Sequence, residues 1–518
     1  MKPIARVLSN PVVAKVEGVD DKTRLALSEA MGFVVQGHEH MGDGSWDGRS
    51  TLFDWPTGKF PAGYVPTALA VLAQNGYEAQ QVRHPLPAPL GPMPVQGNAL
   101  VDSYPADPDR DYQFKCVRIL ERHGSFIARI ATGGGKSRVA ALCIKRIGRK
   151  TIFVTTRTAL LYQMGEALDE AGFKVSYIGD GVWDTSGDVV CAMIPTLGQR
   201  LAPFEPDIVK MSQAEIQLAA QRHTERMAET VAFLDSIEFV IGEEAHESGG
   251  NSYYLVLKAL RKAHYRLALT ATPMMRDGES DARLIAMFGP VRLEVTEKQL
   301  IDCGILARPF FKYIPIGPKQ QPPTLLRGTN WMKAEELGIV KNHMRNKIIC
   351  AEAIRGSRWG LPVGILVKRQ AHGKILHEML QQCGLRGVFI YGDSKKEKRK
   401  DALRKLATGE FDYIIGSTII DVGVDVPALQ ILILAGGGKA EVAVRQRIGR
   451  ALRKKYATPN FAFIVDFDDG GSKHLIAHTR TRKAIVEQTP GFVEGILPKG
   501  KDFDFEGLGF KRPMRMAA

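Results

Sequence analysis

Ten short apolar runs of β character, separated by longer helix-compatible stretches, constrain what this chain can fold into. The first series is FIARI, TIFVTT, VVCAMI, EFVIG and RLALT, between residues 126 and 270; the second is PVGILV, GVFIYG, DYIIGST, QILILA and FAFIVDF, between 362 and 467. Helical segments such as 136–147 and 158–171 lie between them. Strand alternating with helix is the pattern of a parallel sheet covered by helices, and two series separated by about a hundred residues give two tandem domains of that kind. At 518 residues the chain is also too long for one ordinary core. The fold class expected is α/β, with two parallel-sheet domains preceded by a small α/β N-terminal module. The proline-dense PLPAPLGPMP, 85–94, reads as an extended linker behind that module. The expected divisions are 1–95, 96–305, 306–490 and a C-terminal tail, 491–518. The long polar stretch 205–236 reads as a surface helix on the first sheet or an insertion.

Composition narrows the partners. A formal charge of +14 favours a polyanion. Six cysteines stand apart without any CxxC pair, so neither a disulfide framework nor a zinc site is expected. No apolar run reaches the roughly 18 residues of a membrane span, and MKPIARVLSNPVV lacks a secretory stretch, so a cytoplasmic protein without membrane attachment is expected.

The strongest local signal is ATGGGKS, 131–137, which follows the strand-like FIARI and opens into RVAALCIKRI. A strand, a glycine-rich turn and a helix present backbone N–H groups and a positive helix end to phosphate. Thr132, Gly133, Gly134 and Gly135 form the turn, Lys136 reaches the β and γ oxygens, and Ser137 is placed for Mg²⁺. The strict GxxxxGK[ST] form would need glycine where Ile130 stands. An ATP-binding loop requires carboxylates on a neighbouring strand, one for the metal and one to orient water. IGEEAHESGG, 241–250, offers Glu243 and Glu244 side by side at the end of an apolar run.

Taken in order, these strings resemble the motor motifs of the superfamily 2 helicases and translocases, over roughly residues 105–490. ATGGGKS resembles motif I, EEAH the DEAH form of motif II, and LTATP, 269–273, motif III; GILVKRQAHGKIL, GSTIIDVGVDVP and QRIGRALR resemble motifs IV, V and VI. The resemblance implies two RecA-like domains, with ATP and Mg²⁺ as cofactors. It assigns Gln113 to the adenine edge, Glu243 and Ser137 to the metal, and Glu244 to the attacking water. His246, Thr270 and Thr272 would couple hydrolysis to movement. Arg450 and Arg453 would be arginine fingers, with Gln446, Gly423 and Asp425 at the same cleft, Asp425 near the ribose. Because the fingers and the phosphate loop lie on different domains, the resemblance implies hydrolysis tied to domain closure. Two positions depart from the pattern: Glu243 replaces the usual aspartate, and Val422 stands where a glutamate often precedes the glycine of motif V.

Nucleic-acid contacts are expected from Thr156 and Arg157, from Thr196 and Arg200, and from Ser417 and Thr418, as backbone-phosphate contacts that position a strand without reading it. The run KKEKRKDALRK, 395–405, reads instead as a solvated helix face. RLALTATPMMRDG and GPVRLEVTEKQLIDCGILARP resemble the branch of UvsW-type, RecG-like and XPB-like motors, and the stretch from Trp46 to Glu78 resembles the small module preceding UvsW-type motors. That branch implies a monomer acting on forked, branched or duplex DNA, or displacing a strand from an RNA–DNA hybrid. An RNA helicase, a restriction-system motor subunit and a non-catalytic nucleotide-gated clamp are the competing readings.

Overall fold

The computed structural model describes residues 2–35, 46–83, 85–92, 110–206, 211–243, 251–271, 278–391, 396–416, 429–438 and 441–513. The chain divides into two units, one of residues 1–130 with 135–294, the other of residues 131–134 with 295–518. The second unit therefore begins about ten residues before the expected boundary at 305.

In the first unit every strand-like run of the first series is a strand. An eight-stranded sheet has the order Val182–Trp183, Val175–Gly179, Val189–Met193, Thr151–Thr155, Phe239–Glu243, Tyr265–Thr270, Ser125–Ile130 and Val291–Val295. Its central strands pair in parallel and are buried along their length, which explains why they read as unbroken apolar runs. The helix Lys136–Ile147 buries Val139, Cys143 and Ile147 at helical spacing and ends at Gly148 in the left-handed conformation. The polar stretch 205–236 contains the helix Gln213–Leu234, opened by a capping box between Ser212 and Glu215. Only its last turns bury side chains, at Thr230, Phe233 and Leu234, so it is a largely solvated surface helix.

The N-terminal module is a four-stranded sheet of order Lys59–Pro61, Val13–Glu17, Ile4–Ser9 and Glu78–Arg83. It does not stand apart from the motor domain. One continuous core runs from Val7, Ala68 and Leu72 of the module to Leu284, Ala286 and Phe288 of the helix Gly278–Phe288, and Tyr64 Oη donates to the Ala282 carbonyl at 3.3 Å. The proline-dense segment is strapped down rather than free. Tyr265 Oη donates to the Pro87 carbonyl at 2.6 Å, Arg149 donates to that of Ala88 at 2.8 Å, and the Leu90 N–H donates to Ile147 at 3.0 Å.

The second unit holds a six-stranded parallel sheet, Arg308–Ile316, Phe461–Asp469, Ile431–Leu434, Val363–Leu366, Tyr413–Gly416 and Gly387–Ile390. All five runs of the second series are strands. The sixth, Arg308–Ile316, carries Pro309 and Pro315 and lies at the edge, the position where a missing N–H is tolerated. Residues beyond 490, expected as a tail, are part of this core: Phe503, Phe505 and Phe510 are buried around Phe463, with ring centres 5.0, 4.8 and 5.5 Å away. Two buried ion pairs fix the carboxyl ends of the strands. Arg345 makes a two-point pair with Asp469 at 2.7 and 3.2 Å and donates to the Ala435 carbonyl, and Arg482 pairs with Asp466 at 2.9 Å and donates to the carbonyls of Phe467 and Gly438. Removing one partner of such a pair strands the other charge in the core, a loss of about 3–5 kcal/mol. The helix Lys396–Ala407 buries Ala402 and Leu406 and exposes Lys398, Lys400 and Asp401, the solvated face expected. Among the described residues no helix is long and apolar enough to cross a membrane.

Gly63 shows how tightly the module is joined to the motor. A Cβ there would sit 1.9 Å from the Ile285 carbonyl oxygen and 2.7 Å from that of Ala286, and backbone cannot retreat as a side chain can. Gly63→Ala is expected to destabilise the first unit by about 1–3 kcal/mol, read as a lowered thermal midpoint. An unchanged midpoint would contradict the shared core.

Candidate nucleotide and nucleic-acid site

The phosphate loop takes its shape from two glycines. Gly133 and Gly135 have φ of +86° and +78°, a region that costs other residues strain. Gly135 is the N-cap of the helix Lys136–Ile147. The chain therefore turns off the strand Ser125–Ile130 and enters the helix with Lys136 as its first residue, where N–H groups lack intrahelical acceptors. Gln113, on the helix Asp111–His123, is fully buried against this turn. A Cβ on Gly135 would come within 2.7 Å of Gln113 Nε2 and 3.6 Å of an Arg110 guanidinium nitrogen. Lys136 and Ser137 are half-buried. The loop and Gln113, brought together here, form a cradle of donors that a single added methyl would fill.

Sheet register brings the other expected groups to the same edge. The strand Tyr265–Thr270 lies beside Ser125–Ile130, pairing Thr270 with Arg129, and Phe239–Glu243 lies beside that, pairing Glu243 with Leu269. Thr270 and Glu243 thus end their strands level with the start of the loop. Ligands of open parallel sheets bind outside these carboxyl ends. The Glu243 carboxylate is close enough to Cys191 to add to the effect of burial, and together they push that thiol up to about 12. Glu244, His246 and Thr272 lie outside the described residues.

Further along the edge, Thr156 and Arg157 follow the strand Thr151–Thr155. The Arg157 N–H donates to Thr155 Oγ1 at 3.3 Å and its side chain is exposed. Thr196 stands half-buried in the first turn of the helix Ile194–Leu201. Arg200, on the same helix, has its guanidinium 3.4 Å from the Trp183 ring centre and pairs with Glu229 at 2.9 Å. Its side chain is engaged within the domain, between the helix that carries it and the long surface helix.

In the second unit the helix Glu441–Ala451 carries Arg450 in its last turn, with Arg453 two residues beyond. An anchor that sequence reasoning missed holds this helix: Arg445, nearly buried, donates to the equally buried Glu297 at 2.9 Å. The Ala307 N–H also donates to the Leu452 carbonyl at 2.6 Å. Both contacts join residues about 150 apart, which a local motif cannot announce. The Gln446 side chain and Ser417, Thr418, Gly423 and Asp425 lie outside the described residues. Arg110 was also passed over, although it stands one helical turn before Gln113, a spacing that puts both on one face.

With this geometry in view, the comparisons with known proteins take on meaning. Residues 107–275 match the family model described as type III restriction enzyme, res subunit, and residues 347–455 match that of the helicase conserved C-terminal domain. The chain is 25% identical to the ATP-dependent DNA helicase uvsW of Enterobacteria phage T4 over 247 residues, 47% of this chain and 48% of that protein. It is 25% identical to the DNA 3'-5' translocase XPB2 of Sulfurisphaera tokodaii over 380 residues, 67% of this chain and 79% of that one. Among solved structures, the DUF1998 helicase MrfA bound to DNA matches with a TM-score of 0.53 at 13% identity, covering 78% of this chain and 53% of that one, a likeness of fold. The chain spans about half the length of its phage relative.

The loop geometry has a direct consequence. Gly135→Ala would hold alanine in the left-handed region, at a cost of about 1–2 kcal/mol, and press its methyl on Gln113. ATP binding measured by calorimetry is expected to weaken roughly tenfold. Unchanged affinity would remove the loop from nucleotide binding.

Proposed function

We propose that this chain, which belongs to the superfamily 2 helicases and resembles UvsW-type and XPB-like motors, is a Mg²⁺- and ATP-dependent DNA helicase or translocase acting on forked or branched DNA. The observation that carries the reading is the strand–turn–helix phosphate loop lying level with Glu243 and Thr270 at the carboxyl edge of one parallel sheet. The donor set fits a magnesium nucleotide: main-chain N–H groups and an ammonium for phosphate, a hydroxyl and a carboxylate for a hard cation.

When bound, Mg²⁺–ATP supplies the phosphoanhydride bond whose cleavage releases energy. In this reading the N–H groups of residues 133–137 and the Lys136 ammonium hold the β and γ oxygens, and Ser137 and Glu243 face the metal. Gln113 meets the adenine edge. Glu244 accepts hydrogen-bonding from the attacking water and turns its lone pair toward phosphorus. Arg450 and Arg453 offer planar forks to the charge that builds on the transferring group, a contribution restricted to the transition state. Thr270 and Thr272, with His246, carry the change at the phosphate to the strand-binding edge, where Thr156, Arg157 and Thr196, with Ser417 and Thr418, contact backbone phosphates. Contacts of that kind do not read sequence, as a motor requires.

The chemistry is tested by Glu244→Gln. This variant keeps the shape of the site and loses the carboxylate, so ATP and DNA binding should persist while turnover falls about 10²–10⁴-fold. Near-normal hydrolysis would sink the assignment. The substrate is tested by comparing unwinding and ATPase stimulation on single strands, duplexes, forks, four-way junctions and RNA-containing hybrids. Forks and four-way junctions should be remodelled fastest. Stimulation by RNA with none by DNA would transfer the protein to the RNA helicases.

A further inference from the structure

Far from the phosphate loop, a cavity of about 340 Å³ opens where the N-terminal module meets the first sheet. On the module side it is bounded by the ends of two strands, at Asn10 and Arg83. On the motor side lie His123 at the close of its helix, His264, Ser125 and Arg292. The last three stand at the starts of three neighbouring strands, so the cavity is at the amino edge of the sheet, opposite to the edge that carries Lys136.

The lining is one-signed. It contains two arginines with side chains uncommitted to any described carboxylate, two histidines and no acidic residue. Arg292 Nε is buried without a hydrogen-bond partner, an expense that native proteins seldom leave uncompensated. Burial, and then the charges of Arg292, Arg122 and Arg83, hold the His123 imidazole below its usual range. These cations repel one another across a space that small ligands commonly occupy. A planar guanidinium is the donor best matched to phosphate oxygens. Arg83 and Arg122 are exposed and carry the positive charge outward from the cavity, which suits a chain of phosphates better than a single ion.

We propose that this cavity seats a backbone phosphate of a nucleic-acid strand, gripped jointly by the module and the motor through Arg83 and Arg292. The inference rests on reading the chain as a nucleic-acid motor and adds a second contact point to it, at the edge of the sheet away from the nucleotide. Because module and motor share one core, the seat has a fixed position relative to the motor edge and would hold a strand at a set offset.

The test uses the full chain. Forked-DNA affinity is measured against salt for the wild type, for Arg83→Gln with Arg292→Gln, and for Arg83→Lys with Arg292→Lys. The glutamine pair should bind roughly tenfold more weakly, with the slope of log affinity against log salt reduced by about 2, and the lysine pair should keep most of the affinity. Wild-type binding by the glutamine pair, or equal loss in both pairs, would overturn the proposal. Independently, the His123 imidazole is titrated by NMR with a short oligonucleotide and with inorganic phosphate. Its pKa should rise with the oligonucleotide, because a bound anion favours the protonated ring. A response to inorganic phosphate alone would mark a small-anion site and overturn the strand assignment. The proposed function fails by a different result, the absence of DNA-stimulated ATP hydrolysis, which leaves the His123 titration able to succeed or fail by itself.

Discussion

The turn at Gly133 and Gly135 is the constraint on which the remaining structure depends. It redirects the chain from a central buried strand into a helix whose opening N–H groups have no acceptor of their own. Two consequences follow. An anion at that point satisfies donors that would otherwise need water, and any carboxylate that manages such an anion has to end a neighbouring strand. The parallel register places Glu243 and Thr270 at those ends. Gln113 closes the cradle from a separate helix, packed where a Cβ on Gly135 would stand. Each of these groups is set by backbone position, so the site is as rigid as the sheet that bears it.

Much of this was legible because central parallel strands must be apolar on both faces, and so stand out as short unbroken runs. What escaped the sequence had physical reasons. Arg308–Ile316 contains prolines that read as breaks, yet an edge strand accepts them. The segment from Pro85 looks like a spacer by composition, but composition cannot show that the Pro87 and Ala88 carbonyls have donors waiting on Tyr265 and Arg149. Arg200 fits a strand-contacting pattern; only the fold brings Trp183 and Glu229 to it. The phenylalanines after residue 500 sit in a short polar context and gave no periodic signal, although they complete the core around Phe463. The same limit hid Glu297, whose bond to Arg445 links two elements far apart in sequence. Long-range polar pairs of this kind leave no local trace.

Packing also changes how the N-terminal module is understood. A tethered module would sample many orientations and contribute through proximity alone. Here Ala68 and Leu72 belong to the same core as Ala286 and Phe288, and the proline segment is bonded along its course. The module therefore acts as a fixed extension of the first motor domain. In the second domain, the buried pairs Arg345–Asp469 and Arg482–Asp466 play a comparable part, holding the strand ends from which the motif loops depart.

The central claim is that the loop, the paired carboxylates and the arginine-bearing helix make one nucleic-acid-dependent ATPase. It is tested most directly by the steady-state rate of ATP hydrolysis by the full chain in Mg²⁺, with and without DNA, and again after chelation of the metal. The account predicts slow hydrolysis alone, a large increase when DNA is added, and loss of both rates with the metal. A rate that is the same with and without DNA, or that survives chelation, would contradict it.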